Sequence, residues 1–362
     1  TIPSKRGSIY DSNGNLLAVS NKVYNVVLDC KAVNSDEDYL DPTVNALVTI
    51  FGLDEGELRT RLTSDKTRES QYQIVKKQVS MDDKKAFEDY CSIPDDTEMT
   101  REEIQEKNNI QGVWFEEDYR RVYPLNSTAS HLVGFTYTGN SADWGIEGYY
   151  SSTLNGVNGR QFGYYNSDAD VEQNIIDPIN GNSVESTIDL NIQQVVEKYI
   201  SNFMDGMANG PRGAEGAANV GVIVANPKNG EILAMATDNP YDLNNPRDLT
   251  SYYSQDEING MDNGTMLKNL YGIWKNYCIS DAFEPGSTVK PLTIGAALDA
   301  DVVQPSDTFV CDGYQMFGGT RIRCSIYPGA HGTETLSDLI KHSCNDGLMQ
   351  IGALLGPEEF LK

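Results

Sequence analysis

Between Glu284 and Leu292 the chain reads Pro-Gly-Ser-Thr-Val-Lys-Pro, and this stretch leaves the backbone few options. Pro285 and Gly286 end whatever element precedes them, because proline fixes φ and lacks a donor while glycine is costly inside a helix. Pro291 then fits a helix only in its first turn, where backbone N–H groups have no intrahelical acceptor. The apolar positions Leu292, Ile294, Ala296, Ala297 and Leu298 suit a buried helix. A helix is therefore predicted to start at Ser287, with Lys290 one turn along on the same face.

A serine and a lysine so placed can carry nucleophilic chemistry without histidine. A buried lysine gives up its proton more readily, its neutral amine can take the serine proton, and a helix N-terminus stabilises negative charge nearby. The competing reading is an ordinary capped helix with a surface lysine, since Ser-x-x-Lys alone is a weak motif. A second piece lies downstream at Ser343-Cys344-Asn345, between the helically spaced Leu336, Leu339, Ile340 and Leu348, Ile351, Leu354, Leu355. That connection presents a hydroxyl able to relay a proton and an amide able to hold a peptide backbone.

Ser-x-x-Lys followed by Ser-x-Asn resembles the penicillin-binding proteins, the D,D-transpeptidases of bacterial cell wall, in which Lys-Thr-Gly comes third. The resemblance runs along nearly the whole chain. Arg6-Gly7-Ser8-Ile9-Tyr10-Asp11, Asn13-Gly14 and Leu17-Ala18 look like the opening of the non-catalytic domain of the class B members. Arg121-Val122-Tyr123-Pro124, then Ala129, His131, Leu132, Gly134 and Gly145-Ile146-Glu147, match its later signatures. Thr187-Ile188-Asp189-Leu190 with Gln193, and Asn226 to Ala234, look like the entry to the transpeptidase domain.

The resemblance implies an α+β protein. Residues 1–180 would form an elongated pedestal domain, and residues 181–362 the N-terminal part of a transpeptidase domain, with the boundary at the turn residues Asp177 to Asn182. Short β-rich pieces such as Tyr24 to Leu28 and polar helical stretches at Asp82 to Tyr90 and Arg101 to Lys107 are expected in the first part. Leu190 to Ile200 has helical spacing, and Pro227-Lys228-Asn229-Gly230 reads as the turn of a hairpin between Val220 to Val224 and Glu231 to Ala236. No Lys-Thr-Gly-like triplet follows Ser343 up to Lys362, so only part of the family's active site is expected within these residues. The resemblance also implies a membrane anchor just before Thr1 and an extracytoplasmic location, although no apolar run here approaches the roughly 20 residues of a membrane helix.

The balance of 28 basic against 53 acidic residues, a net charge of -25, argues against nucleic acid as a partner, because backbone phosphates would be repelled. The acidic stretches Asp95-Asp96-Thr97-Glu98 and Glu116-Glu117-Asp118 read as solvated faces.

Of the six cysteines, Cys30, Cys91 and Cys278 stand alone and read as small buried hydrophobes. Cys311-Asp312, Cys324 and His331 cluster just upstream of Ser343. Two thiolates and an imidazole at such spacings can hold zinc, with Asp312 as a fourth ligand. A Cys311–Cys324 disulfide and unbonded thiols are the alternatives. The segment is similar to that of clostridial relatives with zinc near the transpeptidase site. His131 reads as structural, His342 as a helix C-terminal residue interacting with the dipole, and Trp274 as packing.

By this resemblance Lys290 would deprotonate Ser287, Ser287 would attack the penultimate D-alanine of a wall stem peptide, Ser343 would relay the proton and Asn345 would position the acyl chain. No cofactor is implied for catalysis; zinc would be structural. β-Lactams would acylate the same serine, and a membrane glycosyltransferase would be the partner. A serine β-lactamase or a β-lactam sensor would have no use for the pedestal motifs. A catalytically incomplete scaffold for the wall-synthesis machinery is the remaining alternative.

Overall fold

The computed structural model describes residues 1–94, 98–137, 140–165, 171–208 and 217–361; Asp95, Asp96 and Thr97 of the first acidic stretch lie outside them. It is α+β and falls into two compact units, Thr1–Ser280 and Asp281–Lys362. The first unit thus runs through the turn residues at Asp177 to Asn182.

The organising element of the first unit is the long strand Leu16–Leu28, rich in valine and flanked by the turn Asp11 to Asn15. It pairs antiparallel with Val113–Val122 over an unbroken register from Val19↔Val122 to Leu28↔Val113. It also pairs with Gln73–Val79 and with Ile9–Tyr10, which itself pairs parallel to Val184–Glu185. The β-rich piece predicted at Tyr24 to Leu28 is therefore the end of a longer strand. Inward side chains Tyr24, Val26 and Leu28 bury against the helices Leu40–Phe51, Glu55–Thr63 and Met81–Cys91 through Val44, Leu47, Phe51, Leu58, Leu62 and Phe87.

The predicted polar helices are present as Met81–Cys91 and Arg101–Asn108, each opened by a capping box, Ser80 with Asp83 and Thr100 with Glu103. Each box satisfies two otherwise orphaned N–H groups, which is why such polar segments hold as helices. Glu116 and Glu117 are not merely solvated. They sit on the Val113–Val122 strand, where Glu117 pairs with Lys22 at 2.8 Å and Glu116 accepts from the Tyr72 hydroxyl at 2.7 Å.

A second core joins Ile9, Leu17, Tyr123, Val133 and Phe135 to Tyr241, Leu243, Leu270 and Trp274. The expected helix and hairpin are both found, as Leu190–Ala208 and as Gly221–Ala225 paired with Ile232–Thr237. Gly230 at φ 78° makes the turn. Trp274 packs as expected, 5 % exposed, with its indole N–H donating to the Pro246 carbonyl at 2.7 Å. No helix of the described residues is long and apolar enough to cross a membrane.

The second unit places the helices Lys290–Asp299, Leu336–Lys341 and Asn345–Phe360 around Ile294, Ala297, Phe309, Leu339, Leu348 and Ile351. Strand Thr308–Cys311 pairs antiparallel with Gly332–Thr335, and Tyr314–Phe317 pairs with Thr320–Arg323 as a separate hairpin.

Candidate active site

The helix carrying Pro291 in its first turn forms, but it starts three residues later than predicted, so Ser287 lies just outside it. Gly286–Val289 is a single 3-10 turn, and the α-helix begins at Lys290, whose N–H bonds the Ser287 carbonyl. A 3-10 turn has three residues per turn, so Ser287 and Lys290 still share a face. Ser287 is exposed and Lys290 half-buried.

Lys290 Nζ makes three hydrogen bonds, to the Ser343 carbonyl oxygen at 2.7 Å, Ser343 Oγ at 3.0 Å and Asn345 Oδ1 at 2.7 Å. These use all three donors of an ammonium. Among the described residues none goes to the Ser287 hydroxyl, one turn away. Burial holds the lysine below its ordinary value. Once neutral, such an amine can accept a proton from either serine.

Ser343 occupies an unusual backbone position. The helix Leu336–Lys341 opens with the capping box Thr335 with Asp338 and ends at His342. Beyond it the Ser343 N–H bonds the Ile340 carbonyl and the Cys344 N–H bonds the Leu339 carbonyl. That is a Schellman ending, whose left-handed residue is usually glycine. Here it is Ser343, at φ 52°. A side chain held there costs about 1–3 kcal/mol, a strain that collects at functional sites.

The predicted thiol cluster is present with a different fourth member. Cys311 Sγ and Cys324 Sγ each lie 3.6 Å from His331 Nδ1, and Cys324 Sγ lies 3.7 Å from Cys344 Sγ. These four ligand atoms gather within 4.8 Å of one another. Asp312 is not among them; it is exposed, and its N–H donates to Asp346 Oδ2 at 2.9 Å. Tetrahedral zinc with bonds of about 2.3 Å to sulfur and 2.0–2.1 Å to nitrogen has ligand-to-ligand edges of roughly 3.5–3.8 Å. The three distances match those edges. All three thiols are free and buried. Burial pushes the Cys311 and Cys344 thiols up. Burial would raise Cys324 as well, but the N–H groups of Asn345, Asp346 and Ile326 pull it down to about 6. Two of those donors open the helix Asn345–Phe360, where unpaired N–H groups favour thiolate.

Three participants escaped the sequence. Cys344, middle residue of the Ser-x-Asn triplet, had been given no ligand role. Glu334 is buried, with Oε1 2.6 Å from His342 Nδ1 and Oε2 3.6 Å from His331 Nδ1. His342 does cap its helix, but a carboxylate holds it, and it stacks on His331 at 5.2 Å. Asp346, fully buried, accepts from Gln315 and Gln350 at 2.7 Å each as well as from the Asp312 N–H. An acidic residue three after one imidazole and eight before another, or straight after the triplet, carries no periodic signal that would have found it.

Elsewhere, His131 is buried and structural, with Nε2 2.8 Å from the Ile273 carbonyl and Nδ1 3.1 Å from Thr237 Oγ1; burial lowers its pKa. Cys30 is buried as expected, whereas Cys91 and Cys278 are only partly so.

Comparison with known proteins accords with this geometry. The penicillin-binding protein dimerisation domain matches residues 1–186, and the penicillin-binding protein transpeptidase domain matches residues 220–362. Stage V sporulation protein D of Bacillus subtilis is 28% identical over 370 residues, covering 99% of this chain and 48% of that protein. The peptidoglycan D,D-transpeptidase MrdA of Escherichia coli is 23% identical, with 98% and 53% covered. The chain thus spans about half the length of these relatives. Among solved structures, penicillin-binding protein 2X of Streptococcus thermophilus superposes with a TM-score of 0.67 at 20% identity, covering 99% of this chain and 50% of that one. PBP2 of Helicobacter pylori, solved in complex with MreC, gives 0.64 at 18% identity, with 95% and 60% covered, and both likenesses speak to fold alone. The ordered signatures, the α+β fold and the two matched domains together make this chain a member of the class B penicillin-binding proteins, with a dimerisation domain followed by transpeptidase-domain sequence.

Proposed function

We propose that this chain belongs to a peptidoglycan D,D-transpeptidase that cross-links wall stem peptides through an acyl-enzyme on Ser287. The observation that carries the reading is the convergence of Lys290 Nζ on Ser343 and Asn345. Neutral Lys290 takes the Ser287 hydroxyl proton as the oxygen attacks the carbonyl of the penultimate D-alanine. The backbone N–H of Ser287 supplies one donor to the developing oxyanion, and Asn345 holds the acyl chain. The bond to the terminal D-alanine then breaks, with its nitrogen receiving the proton through Ser343. An amine of a neighbouring stem attacks the ester and restores Ser287. A β-lactam acylates the same oxygen, but its leaving group stays tethered. The non-enzymatic scaffold is disfavoured, since a scaffold has no need of a half-buried lysine spending all its donors on a Ser-x-Asn turn.

Residues 1–180 are assigned to the pedestal and 181–362 to the transpeptidase domain. The pedestal would hold the catalytic domain off an extracytoplasmic membrane surface, beyond an N-terminal anchor, and meet a glycosyltransferase partner. Cys311, Cys324, His331 and Cys344 would hold a zinc ion, which in a closed four-ligand site supplies cross-linking rather than catalysis. Cys344 lies between Ser343 and Asn345, so its thiol would pin the turn that carries both.

The test is the intact mass of the full-length protein with and without benzylpenicillin. One adduct, mapped to Ser287 and lost in Ser287→Ala, is expected. An adduct that survives the substitution removes Ser287 as nucleophile, and no adduct in the unsubstituted protein removes the reading.

A further inference from the structure

The hairpin Tyr314–Phe317 and Thr320–Arg323 is clamped at its base. Cys311 precedes it, Cys324 directly follows it, and the Cys324 N–H bonds the Gly313 carbonyl at 2.8 Å. Two further bonds tie it to the helix bearing the Ser-x-Asn amide: Gln315 Nε2 to Asp346 Oδ1 at 2.7 Å, and Asn345 Nδ2 to the Arg323 carbonyl at 2.9 Å. Asn345 is the residue whose other amide atom meets Lys290. The hairpin therefore stands one side chain away from the reacting groups.

Its outer face interleaves two guanidinium groups with two phenols. Arg321 lies over the Tyr314 ring at 4.6 Å and Arg323 over the Tyr327 ring at 4.9 Å. Arg321 Nη1 donates to the Tyr327 hydroxyl at 3.3 Å, and the two rings meet edge to face at 6.2 Å. Stacking holds a guanidinium by its plane and leaves N–H donors along its edge, the geometry that suits a bidentate carboxylate. In a chain with 53 acidic residues, Arg6, Arg59, Arg68 and Arg121 each meet a carboxylate. Arg321 and Arg323, both exposed, meet none among the described residues, as is also true of Arg61, Arg101, Arg120 and Arg247; the stacking on tyrosine rings is what sets the two apart.

We propose that Arg321 and Arg323 on this clamped hairpin are specificity residues that bind a free carboxylate of the peptide substrate upstream of its D-Ala-D-Ala end. The upstream position follows from Asn345. That amide is assigned to the acyl chain, the portion that stays on the enzyme, and it also holds the Arg323 backbone. The proposal rests on the transpeptidase reading above.

The test uses full-length protein and two synthetic peptides ending in D-Ala-D-Ala, one with an upstream side-chain carboxylate and one with the corresponding amide. In the Arg321→Gln, Arg323→Gln double variant, KM for the acidic peptide should rise about tenfold, the scale of one charge-assisted pair, with kcat held. KM for the amide peptide should stay within about twofold, and the unsubstituted protein's preference for the acidic peptide should shrink as salt screens the charges. Arg321→Lys should recover only part of the loss, because an ammonium lacks the planar fork. Equal changes on both peptides, or no change on either, overturn the proposal. Should the unsubstituted protein form no penicillin adduct, the transpeptidase reading fails by itself. Fluorescence anisotropy of the labelled peptides would then still read the carboxylate preference and its loss in the double variant.

Discussion

Lys290 and Ser343 are joined twice, through the serine hydroxyl at 3.0 Å and through its carbonyl oxygen at 2.7 Å. The pair links the first residue of one helix to the left-handed residue that closes another. Moving either helix end moves both partners, so the proton route proposed above would be as rigid as the packing beneath it.

Lys290→Gln should lower the rate of penicillin acylation by roughly 10²–10⁴-fold, the range of a lost general base. Under the proposed mechanism the neutral amine is the active form. Burial disfavours the charged ammonium, so the rate should climb with pH and level off at a midpoint below the ordinary lysine value of 10.5. Stopped-flow acylation across pH checks this, and a midpoint at or above that value removes Lys290 as the base.

Ser343→Gly should separate stability from chemistry. Glycine takes the left-handed conformation without the penalty of a Cβ, so melting should rise by an amount equivalent to about 1 kcal/mol. Acylation should fall at the same time, because the relay hydroxyl is gone. A variant that is both less stable and fully reactive contradicts the assignment.

Zinc should accompany the purified protein at one ion per chain by elemental mass spectrometry, and Cys344→Ser should release it. Chelation should lower the melting temperature, since metal bound only by the folded state adds directly to stability. A metal-free preparation with unchanged melting removes zinc.

Glu147→Ala should be among the most damaging changes in the first unit. Glu147 Oε2 meets Arg6 Nε at 2.7 Å and Glu147 Oε1 meets Arg121 Nε at 2.6 Å, and both guanidinium groups are buried. Removing the carboxylate strands two charges, at a cost of about 3–5 kcal/mol. Chemical denaturation followed by tryptophan fluorescence measures it, and a loss below about 1 kcal/mol would mean water reaches the pair.

Much of this protein is written in local pattern. Two prolines and a glycine determined a helix start to within three residues, at Ser287 where the α-helix itself opens at Lys290 after a 3-10 turn, the 227–230 turn determined a hairpin, and the Ser80 and Thr100 boxes determined helix starts, because each rests on contacts within about four residues. The Ser287–Lys290 spacing is of the same kind and was legible at once. The remainder was decided only by the tertiary structure. Lys290 reaches Ser343 across the sequence, Glu147 collects Arg6 and Arg121, and Cys344 rather than Asp312 completes the thiol cluster. Asp312 follows Cys311 in sequence, but its side chain is exposed while the cysteine beside it is buried. Cys311 is the last residue of its strand and Asp312 lies just past that end, where the chain turns away, so adjacency in sequence does not keep the two side chains together. Cys344 arrives instead from the helix end that packs over the strand. No periodicity records such a meeting, because it depends on which faces bury against each other.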